Sequence, residues 1–91
     1  MPDLHEDWTR VYGALRELRR LISDRDRLRY YDESLDANES EIALHALCHF
    51  LLQPGVPAVT NEELGEIERL HTLMDIDDDC VTKLRQKRSG L

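Results

Sequence analysis

The sequence predicts an all-α fold, a single compact bundle of four to five helices, and three observations carry that prediction. Apolar residues recur at spacings of three and four through most of the chain, which is the period of a buried helix face. Alternation at period two is confined to residues 56–59, where Pro57 cannot donate to a sheet ladder. With 91 residues and no long flexible interior stretch, the chain has room for one core.

The first helix is expected over residues 7–23, with Trp8, Val11, Tyr12, Leu15, Leu18 and Ile22 as its apolar stripe and Asp7 as its cap. Gly13 costs that helix about 1 kcal/mol relative to Ala, which suggests a close approach of another helix. A shorter second helix over 25–35 is read from Leu28, Tyr31 and Leu35, and Asn38 in the polar stretch after it is suited to a left-handed turn. The third helix, 39–53, is the most apolar and therefore central, with Ile42, Ala43, Ala46, Leu47, Phe50 and Leu51 on its buried face. Pro54 and Gly55 end it, and Pro57 keeps the following loop extended. Thr60 followed three residues later by Glu63 is a capping box, in which each side chain satisfies the other's free backbone donor. It opens a fourth helix carrying Leu64, Ile67, Leu70, Leu73 and Met74. Asp77 is the expected cap of a last short helix, with Val81 and Leu84 buried and residues 88–91 a frayed tail.

Composition sets the class. Apolar residues at 41% are too many for a disordered chain, and charged residues at 34% are too many for a membrane protein. The longest apolar run, 42–52, is broken by His45 and His49 and falls well short of the roughly 20 residues that span a bilayer. The start, Met-Pro-Asp-Leu-His-Glu-Asp, lacks the basic and apolar segments of a secretory signal, so cytoplasmic residence is expected. In that reducing compartment Cys48 and Cys80 are expected to be unpaired, small apolar core residues.

The formal charge of −7 is unevenly distributed. Residues 1–31 carry seven Arg against six acids; residues 32–82 carry thirteen carboxylates against Arg69 alone; the tail adds Lys83, Arg85, Lys87 and Arg88. Such a field repels nucleic acid and anionic lipid and speeds encounter with a basic protein. The arginines at 10, 16, 19, 20, 25, 27 and 29 form no convincing nucleic-acid strip, because acids are interleaved with them and the middle segment opposes a phosphate field.

Nothing in the sequence points to an enzyme. There is no phosphate-cradling Gly-rich loop and no nucleophile elbow, and a Cys with a His needs an orienting third group and a cleft. Asp75-Ile76-Asp77-Asp78-Asp79 lacks the Gly and terminal Glu of a calcium loop. His45, Cys48 and His49 share a helix face at i, i+3 and i+4, but His5, His71 and Cys80 stand in no recognised ligand spacing with them, so neither metal nor cofactor is expected.

The run Glu41-Ile42-Ala43-Leu44-His45-Ala46-Leu47-Cys48, then Phe50-Leu51-Leu52, Val56-Pro57, Glu62, Ile67, Leu70, Met74, Asp75 and Ile76 resembles the small MafI-like and contact-dependent inhibition immunity proteins of bacterial toxin systems, over about residues 30–85. The stretch 32–39 departs from the shorter turn of that family. The resemblance implies a protein that binds and neutralises the cognate toxin's C-terminal domain, often a basic nuclease, by setting carboxylates where the toxin expects phosphates. The carboxylates expected at that interface are Asp32, Glu33, Asp36, Glu39, Glu62, Glu63, Glu66, Asp75, Asp77, Asp78 and Asp79, with Tyr30 and Tyr31 as anchors, one of them in the core. The alternatives are a helical adaptor or regulatory subunit that docks on a basic protein, and a metal-responsive switch using His45, Cys48 and His49.

Overall fold

The structure, a computed structural model, describes residues 4–89, with side chains from residue 9 onward. Five helices make a single bundle: α1 (Leu4–Leu18), α2 (Arg25–Asp36), α3 (Ser40–Leu51), α4 (Asn61–Leu73) and α5 (Cys80–Arg88). A short 3-10 turn, Arg19–Leu21, follows α1. No strand occurs among the described residues, and no helix is long and apolar enough to cross a membrane.

Most of the expected apolar stripes meet in one core, but Leu73, expected on the apolar face of the fourth helix, is 42% exposed, and Val81, expected buried in the last, is half-buried. Val11, Leu15, Leu18 and Ile22 pack with Tyr31 and Leu35 of α2, with the inner face of α3, and with Leu64, Ile67 and Leu70 of α4. The core-facing side of α3 is turned from the expected one. Leu44 and Cys48 are buried, Ala46 is half-buried, and Ile42 is 41% exposed. Both arcs of α3 are apolar, so hydropathy alone cannot choose between them, and packing against α1 and α2 decides. The side chain of Trp8 lies outside the described residues.

Helix ends follow local chemistry. Asp24 caps α2 by accepting from the Arg27 N–H at 3.1 Å. At α4 the Thr60 hydroxyl accepts from the Glu63 N–H at 3.1 Å while the Glu63 carboxylate accepts from the Thr60 N–H at 2.8 Å. Asn38, with φ of 61°, turns the chain between α2 and α3, and Asp75, with φ of 55°, performs the same left-handed exit from α4. Lys87 of α5 donates to the carbonyls of Leu51 and Gln53 at 2.5 and 2.8 Å, placing a cation on the negative end of α3.

Several expectations are corrected. Helix α1 begins at Leu4, so Asp7 lies within it and does not cap it. Gly13 faces open space, with no atom near the position a Cβ would take, so no helix approaches there. Asp77 does not cap α5: Asp79 holds the N-cap position without a side-chain cap bond, and Asp78, one residue before it, accepts from the Cys80 N–H at 3.0 Å. Arg88 closes α5 and Ser89 bonds back to Arg85; Gly90 and Leu91, the rest of the expected tail, lie outside the described residues.

The largest correction concerns the cysteines. Cys48 of α3 and Cys80 of α5 form a disulfide, with Cα atoms 6.1 Å apart. A turn after α4 returns the chain so that the first residue of α5 faces the inner side of α3, a proximity created by tertiary folding across 32 residues.

Candidate functional site

The expected acidic residues separate once folded. Helix α2 packs on α1 and α3, whereas α4 packs on α1 and α5, and α2 and α4 do not pack against each other. The carboxylates of 32–39 and those of 62–66 therefore stand on helices that do not pack together, linked through Arg19, which pairs with Asp32, and Arg20, which lies near Glu63. Some already serve the fold. Asp32 accepts from both the Nε and Nη2 of Arg19 at 3.1 and 2.8 Å, and this pair holds its carboxyl below the ordinary carboxylate range. Glu33 pairs with Arg29 at 3.3 Å, and Glu63 is used in the α4 cap and lies 3.6 Å from Arg20. Asp36, Glu39, Glu62, Glu66, Asp75, Asp77 and Asp79 are exposed and have no ion-pair partner among the described residues.

The two tyrosines divide. Tyr31 is wholly buried, and its hydroxyl donates to the Leu15 carbonyl; burial raises its pKa well above the usual tyrosine value of 10. It is a core residue and cannot anchor a partner. Tyr30, one residue earlier and so about 100° around α2, is 54% exposed.

Beside Tyr30 runs a groove of about 560 Å³ between α2 and α3, lined by Asp26, Arg27, Tyr30, Ile42, His45, Ala46 and His49. Its floor is apolar. His45 and His49 also border an adjoining depression formed with Cys48, Asp78, Asp79, Cys80 and Lys83, so the two make one continuous surface. His45 lies 3.6 Å from Asp78 and 3.9 Å from Glu41, which sets carboxylates on either side of it. Tyr30 on the one hand and Asp78 and Asp79 on the other thus line neighbouring depressions that meet at His45 and His49, and Glu62, Glu63 and Glu66 line neither.

Ile42 and Asp26 are the contributors that sequence reasoning missed. Ile42 sits in an unbroken apolar run and reads as core; the signal available was that α3 offers more apolar positions than one buried face can take. The sequence triad His45, Cys48 and His49 is also divided: Cys48 is buried, whereas both histidines are exposed.

Compared with known proteins, the chain matches no family model, no curated protein and no solved structure.

Proposed function

We propose that this chain is a cytoplasmic immunity-type protein that binds a cationic toxin domain and blocks it by covering its active or substrate-binding surface. The observation that carries this reading is an open apolar groove on a chain that also leaves much of its negative charge unpaired, with Asp79 bordering the adjoining depression. Arg19, Arg20, Arg29 and Arg85 are engaged by carboxylates within the fold, while seven exposed carboxylates are left without ion-pair partners among the described residues.

Tyr30 and Ile42 would supply the apolar contact, since interfaces draw most of their energy from a few such anchors; Asp26 and Arg27 line the groove itself, Glu41 stands against His45, and Asp79 borders the adjoining depression. Carboxylates so placed raise the association rate with a basic partner and set its orientation. The acids of α4 and the Asp75–Asp77 turn would act through their long-range field. The resemblance to MafI-like immunity proteins fits the same role.

The test is co-expression with the toxin domain encoded immediately upstream. Survival that depends on this chain, and that falls when Tyr30→Ala and Ile42→Asp are combined, supports the reading. Continued killing despite abundant soluble protein contradicts it.

A further inference from the structure

The disulfide places a third donor beside the two sulfurs. A ring nitrogen of His71 and the Sγ atoms of Cys48 and Cys80 all lie within 4.8 Å of one another, contributed by α4, α3 and α5 respectively. All three residues are buried, with exposures of 5% for Cys48, 6% for Cys80 and 7% for His71.

The histidine is preset. Its Nδ1 lies 2.8 Å from the Ile67 carbonyl, which can only accept, so Nδ1 carries the proton and Nε2 is the nitrogen directed elsewhere. Metal-bound histidines are usually oriented by this kind of bond from the second ring nitrogen. Nε2 in turn lies 3.1 Å from Oδ1 of Asp78. That is a hydrogen-bond distance in the disulfide-bonded chain, and it keeps a carboxylate within about 3.3 Å, the separation of nitrogen and oxygen ligands on one zinc tetrahedron. Asp78 is itself fixed by accepting from the Cys80 N–H at 3.0 Å.

We infer that the reduced chain holds one zinc ion on Cys48, Cys80 and His71, with the Asp78 carboxylate, which stands beside His71 Nε2 but outside this group of three, turning in as the fourth ligand. Two thiolates with an imidazole and a carboxylate suit Zn²⁺ in tetrahedral geometry, and a site drawn from three helices is structural in kind. The depression lined by His45, His49, Asp79 and Lys83 gives the ion its way in. A dithiol reductant opens the site by passing two electrons and two protons to the Cys48–Cys80 bond, which leaves two thiols here and a disulfide on the reductant. Zinc then displaces both thiol protons to solvent and stays Zn²⁺. In a reducing compartment the ion takes over the disulfide's task of tying α5 to α3. This inference is independent of the binding role proposed above.

The test uses the full chain, reduced with a phosphine under argon, desalted, and titrated with cobalt(II) alone and then with zinc. The expected result is one ion per chain, the intense visible absorption of tetrahedral cobalt with a thiolate charge-transfer band, displacement of cobalt by zinc, and a rise in melting temperature on loading. His71→Gln and Cys48→Ser should each weaken binding by more than about 100-fold, beyond the 10- to 100-fold expected of a merely supporting group, and Asp78→Asn by at least about 10-fold. Circular dichroism checks the fold of each variant, and the wild-type cobalt spectrum decides the question if a variant unfolds. A pale six-coordinate spectrum without the thiolate band, or unchanged affinity in folded His71→Gln, would overturn the inference.

Discussion

Replacing Cys48 and Cys80 together by Ala should cost this protein a large part of its stability. The bond closes a loop with its ends 32 residues apart, and the chain-entropy relation for a loop of that length gives about 3.7 kcal/mol at 25 °C. A domain of this size has roughly 5–13 kcal/mol in total, so the loss takes between a quarter and most of it. With an m-value of about 1.5 kcal/mol/M, the urea midpoint should fall by about 2.5 M, because α5 would be left with few other ties to α3. The assay is urea unfolding followed by circular dichroism, in the presence of a chelator, for the oxidised wild type and the double variant. A difference below about 1 kcal/mol would refute the reasoning, since it would mean that α5 is held by Leu84, Lys87 and the Glu68–Arg85 pair with no need of the bond.

Other perturbations follow from single contacts. Gly13→Ala and Gly65→Ala, both at exposed helical positions with open space around the new methyl, should each stabilise the fold by about 0.5–1 kcal/mol, seen as a melting temperature higher by about 4 °C. Tyr31→Phe removes a buried donor from the Leu15 carbonyl and should cost about 1–1.5 kcal/mol in urea unfolding. In the wild type, spectrophotometric titration should find Tyr31 still protonated above pH 10, its ordinary value. The folded pKa of Asp32 is lowered by Arg19, so its contribution is present above the unfolded value of 3.8 and is lost as pH falls through the folded one. Asp32→Asn should therefore lower stability at neutral pH and flatten its decline in acid, measured by urea midpoints across a pH series.

Local chemistry made much of the fold legible. The 3.6-residue period marked the first four helices and end charges the fifth, the Thr60–Glu63 box placed the start of α4 to the residue, and Asn38 marked the left-handed turn after α2. Where two local solutions were equally good, the sequence could not choose. Helix α3 has apolar residues on more than one arc, so Ile42 read as core until α1 and α2 were in place against Leu44 and Cys48. Gly13 suggested a helix crossing that does not occur.

The candidate site was less legible because it is assembled from distant segments. Carboxylates that are neighbours in a charge count fall on helices that do not pack together, and Asp32 and Glu63 are taken up by structural partners, Arg19 and the Thr60 N–H. Cys80 and His71 stand in no ligand spacing with Cys48; the turn after α4 brings them together. Tyr30 and Tyr31 are adjacent, and only the helical phase of α2 separates the exposed ring from the buried one.

The most direct measurement of the proposed role is the affinity of the purified chain for the upstream-encoded toxin domain, by calorimetry at two salt concentrations. Tight binding that weakens with salt and falls by about 30-fold or more in Tyr30→Ala is expected, the loss of one anchor being worth about 2 kcal/mol. Undiminished affinity in both Tyr30→Ala and Ile42→Asp, or affinity indifferent to salt, would contradict this groove and its neighbouring carboxylates as the contact surface.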